Sequence, residues 1–363
     1  MKINGDNERV KRRYFRYLLD AKRQSAASID QAAAAIDRFE DFTKRRNFKA
    51  FRIEQAGAFK DNLAAQDARA TGRPLSAATQ LHILNALRVF FIWLADQPGF
   101  RRIRYSDADY FNLSHKQIAV AKAERHREGP TVEQVRHVIA NMPTDSSIEL
   151  RNRAVLSLAL LTGARDNALA SLRLKHIDID KRMIVQDARD VRTKASKTIT
   201  TWFVPVGDDL VKIVAEWVAH LRNDHFYGPD DPLFPKTKVG LGPSRRLEPL
   251  GLERACWSTA SPIRETFRNA FTSAGLPYFH PHLLRKTLAR LGMSICETHE
   301  QMKAWSQNIG HDGVLTTLKS YGHVEHVRQR ELIASLWQPK SISNDAGEVL
   351  RQVRKLLQDQ ATG

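Results

Sequence analysis

Apolar residues recur at helical spacing through the first third of the chain, and turn-forming residues separate the segments. One segment follows a predicted N-cap at Ser28, and its apolar positions are Ile29, Ala33, Ile36, Phe39 and Phe42. A longer stripe follows a predicted cap at Ser76 and ends before "DQPGF". Each pattern is typical of a helix with one buried face, so we expect an all-helical first unit.

The pattern changes after Pro130. A helix is predicted from a cap at Thr131, and the apolar run "RAVLSLALL" at 153–161 predicts a buried helix. Two short segments, "MIVQDA" and "TITTWFVPV", are predicted to be strands on either side of the polar connection "RDVRTKASK". A segment rich in Pro and Gly at 224–251 is predicted to be loop, and helices resume after it. We therefore predict a mainly α fold with one small β-hairpin sheet.

Breaks in composition indicate where the domains begin and end. The stretch "KQIAVAKAERHRE" is polar and basic, and Gly129 and Pro130 end it. We predict a helical domain at 1–120, a basic linker at 121–130, a second domain at 131–340 and a C-terminal helix at 341–363. The apolar stripe of that last helix consists of Val349, Leu350, Val353, Leu356 and Leu357.

Charge narrows the choice of partner. The chain has 363 residues, with 57 Lys and Arg against 40 Asp and Glu, for a formal net charge of +17. This excess favours a polyanion, and nucleic acid is the leading candidate. No unbroken apolar run long enough for a membrane span and no apolar signal core occur, so we expect no membrane partner. With two cysteines and no CxxC, we expect a reducing cytoplasm and no thiolate metal site.

Four groups of residues could carry chemistry. Arg165 follows a Thr-Gly turn in "LTGARDNALASL", and His282 and Arg285 share a helical face in "PHLLRKT". Lys194 and Lys197 lie in the predicted hairpin connection. The stretch "GHDGVLTTLKSYGHV" contains His311 and Tyr321.

These side chains suit phosphodiester transfer. Arginine forks match phosphate oxygens and stabilise the charge of a pentavalent transition state. A lysine can protonate a leaving alkoxide, and histidines titrate near neutrality. Tyrosine can supply a covalent nucleophile. A metal site at His323 and His326 is disfavoured, because no third ligand is evident.

In order and approximate spacing, "TGARDNALASL", the lysine-bearing hairpin, "PHLLRKTLA", "IGH" and "TTLKSYG" resemble the tyrosine recombinases, or phage-type integrases. The resemblance covers both domains and implies a helical core-binding domain followed by a mixed, mostly helical catalytic domain. It implies that Tyr321 is the nucleophile and that Arg165 and Arg285 hold the phosphate. It further implies that His282 and His311 assist proton transfer and that Lys194, with Lys197 as the alternative, is the hairpin lysine.

The chain departs from the family pattern at three positions. Ala168 stands where most relatives have a glutamate, so support from a carboxylate is missing or comes from Asp166. The usual spacing of nine residues after the late histidine reaches Ser320, and Tyr321 is one further on; the "TTxxSYG" context favours the tyrosine. Lys286 stands where many relatives have a second histidine, which keeps a cation there.

The resemblance implies a site-specific DNA recombinase or integrase of a mobile genetic element, acting through a 3′-phosphotyrosine with no cofactor, no metal and no ATP. The implied partner is double-stranded DNA with a specific recombination site, bound by a homo-tetramer that is a monomer or weak oligomer when free. An accessory DNA-bending protein or a partner recombinase is a further candidate, and the implied location is the prokaryotic cytoplasm, at the nucleoid. The alternatives are an inactive DNA-binding accessory protein and a type IB topoisomerase-like enzyme.

Basic clusters suggest a surface that follows phosphates, although solvated charge is the usual explanation of any one cluster. The candidate DNA contacts are Lys44, Arg45, Arg46, Arg88, Arg101, Arg102, Arg125, Arg127, Lys197 and Lys286.

Overall fold

The computed structural model describes residues 3–67, 72, 74–123, 128–242, 245–310 and 329–331. Within these ranges the chain is mostly helical, with small antiparallel sheets, which confirms the predicted fold class. Its contacts divide it into two compact units, Met1–Arg125 and His126–Gly363.

The described part of the first unit is built from helices, with one isolated β-bridge between Asp67 and Pro74. Short 3₁₀ turns at Phe48–Ala50 and Tyr105–Phe111 join its α-helices. The α-helices are α1 (Gly5–Asp20), α2 (Ala26–Phe42), α3 (Ile53–Ala64), α4 (Ala77–Ala95) and α5 (His115–Lys122).

Helix α4 is central to the core of this unit. Phe90, Phe91 and Leu94 are fully buried, and the Phe39 ring of α2 meets Phe91 edge to face at 5.5 Å. By length and composition α4 is also the one described helix that could cross a membrane, with a mean hydropathy of 1.3. Its buried aromatic face is that of a core helix packed against its neighbours.

One predicted helix start in this unit is wrong. Ser76 caps α4 as expected, but α2 begins after Ser25, whose Oγ accepts a hydrogen bond from the backbone N–H of Ser28. Both serines precede the apolar stripe, and a serine side chain caps the N–H two or three residues after it. The first serine therefore takes the cap, and Ser28 lies in the first turn.

The second unit surrounds the buried helix α7. Thr131 is the N-cap of α6, the helix that precedes α7, as predicted, and Thr131 and Gln134 exchange reciprocal hydrogen bonds. The helices are α6 (Val132–Ala140), α7 (Ser147–Thr162), α8 (Asp166–Leu169), α9 (Asp208–Asn223), α10 (Ser261–Ser273), α11 (Leu283–Ile295) and α12 (His299–Asn308).

The described part of this unit contains two antiparallel sheets, where the sequence predicted one. The first has the order β1 (Ile177–Asp178), β2 (Met183–Gln186) and β3 (Ile199–Trp202), and it includes both predicted strands. The second is a long hairpin of β4 (Pro235–Leu241) and β5 (Leu247–Cys256), most of which lies in the segment 224–251 that was predicted to be loop.

The prediction of loop at 224–251 failed over this hairpin because Pro and Gly are tolerated where the hairpin places them. Pro235 is the first residue of β4, and Gly251 has φ +119°, a conformation that favours glycine. The register shifts twice along the hairpin, as β-bulges do. Bulges and an exposed hairpin erase the clean alternation by which a strand is recognised.

Candidate active site

The turn before Arg165 is fixed by a glycine. Helix α7 ends at Gly163, which has φ +60° and ψ 19°, and a Cβ there would lie 2.9 Å from Leu288 Cδ1 of α11. Both the left-handed backbone and the closeness of α11 therefore require glycine. Arg165 follows in extended conformation and occupies the N-cap position of α8.

Arg285 points from α11 toward the same turn. Its side chain is 4% exposed, and its Nη1 donates to the carbonyl oxygen of Gly163 at 2.7 Å. Its Nη2 is buried and has no hydrogen-bond partner in the described part of the chain. Burial, together with the charge of Arg165, lowers the pKa of Arg285 to about 9. A buried guanidinium with an unsatisfied donor and a second cation beside it has the chemistry that would suit an anion.

His282 stands at the N-terminus of α11, one turn before Arg285. Burial lowers its pKa, and the charges of Arg285 and Arg165 lower it further, while Asp166 acts in the opposite direction. The imidazole is therefore held neutral at neutral pH, the form that can accept a proton. The structure thus brings together three of the predicted residues, namely Arg165, His282 and Arg285.

The carboxylate of Asp166 lies near these cationic side chains, and the sequence did not predict the residue that pairs with it. Asp166 accepts a hydrogen bond from Nε of Arg264 in α10 at 2.6 Å. Ala168, by contrast, is 1% exposed and belongs to the hydrophobic core. Position 168 is thus a packing position here, and Asp166 is the carboxylate that acts on His282. Arg264 had no motif around it that could have indicated its role.

Lys194 and Lys197 lie in the connection between β2 and β3, and both are exposed. Lys194 begins a 3₁₀ turn, Lys194–Ser196, and Lys197 follows directly. The connection is held by Arg192, whose Nη2 donates to the Trp257 carbonyl at 2.7 Å and whose Nη1 donates to the Ser258 carbonyl. Arg192 was not singled out from the sequence, since its role depends on long-range backbone partners.

The end of α12 is joined to the same hairpin. The Trp202 N–H donates to Asn308 Oδ1 at 2.7 Å, and Asn308 Nδ2 donates back to the Trp202 carbonyl at 2.9 Å. Gly310, with φ +67°, lies so close to Ile199 that a Cβ would be 3.1 Å from its Cδ1. These contacts anchor the chain immediately before His311. His311 and Tyr321 themselves lie outside the described residues.

The predicted DNA-contacting residues differ in exposure and in whether an acidic side chain already neutralises their charge. Lys44, Arg46, Arg101 and Arg102 are exposed, and Lys286 is half-buried. Arg45 pairs with Asp41 at 2.6 Å and also faces Glu40, so its charge is already neutralised.

Arg88 pairs with Asp109 at 3.0 Å. Arg125 and Arg127 lie outside the described residues. Lys49, which was not predicted, lines one surface depression together with Arg101 and Arg102.

Comparison with known proteins shows the family to which the chain belongs. The model of the phage integrase family matches residues 131–327, more than half of the chain. The tyrosine recombinase XerC of Xanthomonas axonopodis pv. citri is 27% identical over 258 residues, which are 70% of each chain. XerC of Shigella dysenteriae serotype 1 is 24% identical over 315 residues, 86% of this chain and 91% of the relative.

Solved structures share the fold at low sequence identity. A lambda integrase dimer bound to a COC′ core site has a TM-score of 0.55 at 14% identity, covering 88% of this chain and 97% of that one. The XerH site-specific recombinase bound to a palindromic difH substrate, in a post-cleavage complex, has a TM-score of 0.57 at 17% identity, covering 88% and 82%.

The class that these findings define is the tyrosine recombinases, enzymes that transfer DNA strands. The chain belongs to the phage integrase family.

Proposed function

We propose that this DNA strand transferase is a site-specific recombinase that cleaves and rejoins DNA through a 3′-phosphotyrosine formed at Tyr321. Tyr321 attacks the scissile phosphate, its oxygen forms a bond to phosphorus, and the 5′-oxygen leaves. A 5′-hydroxyl of a partner duplex then reverses the step. The phosphotyrosine conserves the energy of the broken bond, so the reaction requires neither ATP nor a metal.

The observation that carries this proposal is the free Nη2 of Arg285, buried beside Arg165 and His282. A phosphate oxygen supplies the acceptor that this nitrogen lacks. His282, in its neutral form, and His311 assist proton transfer and hydrogen bonding, and Lys194 protonates the leaving 5′-oxygen.

The partner is proposed to be double-stranded DNA with a specific site, bound by the domain at 1–120 and the catalytic domain at 131–340. The exposed cations Lys44, Arg46, Arg101 and Arg102 belong to the first of these. Binding through them weakens steeply with salt, because each phosphate contact releases counterions. The place of action is the prokaryotic cytoplasm, at the nucleoid.

Assembly on DNA is proposed to be a homo-tetramer in which the tail, 341–363, docks on the next protomer. Support comes from an apolar groove of the second unit, between β3 and α12, lined by Trp202, Ile295 and Trp305 among others. Trp202 is 51% exposed there and Ile295 is 43% exposed. The apolar stripe of the tail matches this surface chemically. A size independent of concentration, with the tail protected from protease, would contradict docking between protomers.

The first experiment uses nicked duplexes from the DNA that flanks the gene, in which a released fragment prevents religation. After denaturation, the wild type is expected to carry a covalently joined 3′ end, and Tyr321→Phe to carry none. A Ser320→Ala control separates the two neighbouring hydroxyls and is expected to retain the adduct. If the protein binds the fragments tightly but forms an adduct on none of them, an inactive DNA-binding accessory protein is favoured instead. If it relaxes supercoiled DNA without pairing two sites, a topoisomerase is favoured.

A further inference from the structure

A second cluster of reactive side chains lies in the catalytic unit, apart from the phosphate site. Ser147 is the first residue of α7, His220 is in the last turn of α9, and His225 follows the C-cap of that helix. Ser147 Oγ is 2.9 Å from His220 Nε2 and 3.2 Å from His225 Nε2. The two Nε2 atoms are 3.2 Å apart. Three donor atoms from three places in the sequence thus form a nearly equilateral triangle.

Asp224 fixes the tautomer of one histidine. Its Oδ2 is 2.6 Å from His220 Nδ1, and an ionised carboxylate can only accept, so Nδ1 carries the proton. His220 Nε2 therefore presents a lone pair to the triangle. Ser147 has one proton and His225 Nε2 has at most one in its neutral form, so two protons are present for three contacts. Hydrogen bonds alone leave one edge of the triangle without a proton.

A cation above the triangle satisfies all three atoms at once. Zinc binds imidazole nitrogen at about 2.0–2.1 Å, so an ion equidistant from the three atoms would lie roughly 1 Å above their plane. Adjacent ligands of such an ion are separated by roughly 2.9–3.4 Å, the range of the contacts between these three atoms. The carboxylate on the far nitrogen of His220 is the usual orienting partner of a metal-bound histidine.

We propose that Ser147, His220 and His225 bind a divalent first-row transition ion of the zinc type, with Asp224 orienting His220. Imidazole ligands suit zinc, nickel and copper, whereas magnesium and calcium prefer oxygen donors. In the described ranges no three His, Cys, Asp or Glu side chains form a metal-binding group, and the proposed site therefore depends on the Ser147 hydroxyl, which lies 2.9 and 3.2 Å from the two imidazole nitrogens. The remaining positions are left to water.

The cluster is held by its surroundings and not by the proposed ion alone. Arg254 of β5 donates to the carbonyl oxygens of His225 and Phe226 at 2.9 and 3.2 Å, and its guanidinium lies over the Tyr227 ring. Asp231 pairs with this arginine at 3.5 Å, which offsets a charge that would oppose the cation. The loop after α9 is thus fixed in place.

The proposed ion would stabilise the contact between the start of α7 and the end of α9. Helix α7 has 16 residues and therefore spans about 24 Å, with the cluster at one end and Gly163 at the other. The ion lies too far from the phosphate site to touch substrate. It is expected to change the stability of the unit and not the chemistry of strand cleavage.

The test uses the full chain, treated with chelator and then dialysed against Co²⁺ or Zn²⁺. Metal per chain is measured by mass spectrometry, and coordination by the visible absorption of Co²⁺. We expect wild type to bind one ion more than the His220→Ala, His225→Ala double variant, and His299→Ala, which removes an exposed histidine, to bind as wild type does. Asp224→Asn is expected to weaken binding about 10–100-fold.

Thermal unfolding provides a readout on the unaltered protein. Free Zn²⁺ at one hundred times its dissociation constant should favour the folded state about a hundredfold and raise Tm, and chelator should reverse the rise. Equal metal content in wild type and the double variant, or no change of wild-type Tm with Zn²⁺, would overturn the proposal. Ser147, His220 and His225 would then join α7 to α9 through hydrogen bonds alone, without a bound ion.

Discussion

Replacing Arg285 with methionine is expected to abolish strand cleavage and to make the free protein more stable. The pKa of this buried guanidinium falls from the ordinary arginine range to about 9, which corresponds to roughly 4–5 kcal/mol at about 1.4 kcal/mol per pKa unit. Losing the hydrogen bond from Nη1 to the Gly163 carbonyl opposes this gain by about 1.5–3 kcal/mol. The net expectation is a gain of about 1–3 kcal/mol, or several degrees of Tm at roughly 2–4 °C per kcal/mol.

The sign of this effect depends on pH. Because the pKa of Arg285 is lower in the folded state, the unfolded chain binds more protons between pH 9 and the ordinary arginine range. The cost of the buried charge is therefore complete at pH 7 and is relieved only as pH rises above 9. Unfolding measured at pH 7 detects the full difference between wild type and Arg285→Met.

Arg151→Met is the matched control. Arg151 is 3% exposed, and burial lowers its pKa to about 10, but its guanidinium donates to Pro235 O, Thr237 Oγ1 and Asn152 Oδ1 and lies 4.8 Å from the Trp257 ring. Its removal is expected to lower Tm, since partners are left unsatisfied.

Sulfate separates the two arginines further. It stabilises most proteins by exclusion from their surface, so the informative quantity is the additional rise of Tm that requires Arg285. Wild type and Arg151→Met should show this rise, and Arg285→Met should not. A fall of Tm in Arg285→Met as large as that in Arg151→Met, with the same response to sulfate, would refute the assignment of an unsatisfied anion site.

Three further outcomes are expected. Lys194→Ala should slow cleavage at least 100-fold. A substrate with sulfur in place of the leaving 5′-oxygen should restore the rate, since a thiolate needs no general acid. If only Lys197→Ala shows this loss and rescue, Lys197 is the general acid instead. Gly163→Ala should destabilise the protein by at least 1 kcal/mol in thermal unfolding, because its φ of +60° is strained for alanine and its Cβ would meet α11; an unchanged Tm would contradict this. Asp166→Asn removes the group that raises the pKa of His282, so the acidic limb of the pH–rate profile should move to lower pH; a shift to higher pH would exclude His282 as the titrating base.

Local patterns predicted the helices well where the sequence alone determines them. The caps at Ser76 and Thr131 need only the side chain and the next turn, and both were found. The hairpin of β4 and β5 was missed because its strands are stabilised by each other, which a local pattern does not record. The local pattern also did not decide between Ser25 and Ser28, because both are suitable N-cap residues within one helical turn.

The candidate site divides in the same way. Arg165, His282 and Arg285 were found because each follows a local motif, and the structure places them together. Arg264 and Arg192 were missed because each acts on a partner distant in sequence: Asp166, at 2.6 Å, for Arg264, and the carbonyl of Trp257 for Arg192. A motif thus marks a candidate site residue, whereas the residues that hold it in place are recognised only from tertiary contacts.

In the proposed reaction, we expect the two central arginines to favour the transition state over the bound substrate. Arg165 adds to the depression of the Arg285 pKa, so the two cations repel each other in the free protein. In the proposed reaction a phosphodiester brings one negative charge, and the pentavalent transition state brings more. The repulsion is therefore relieved most at the transition state, which is the differential binding that lowers a barrier. A carboxylate beside Arg285 would have stabilised the folded protein and removed this difference, and Asp166 is instead held by Arg264.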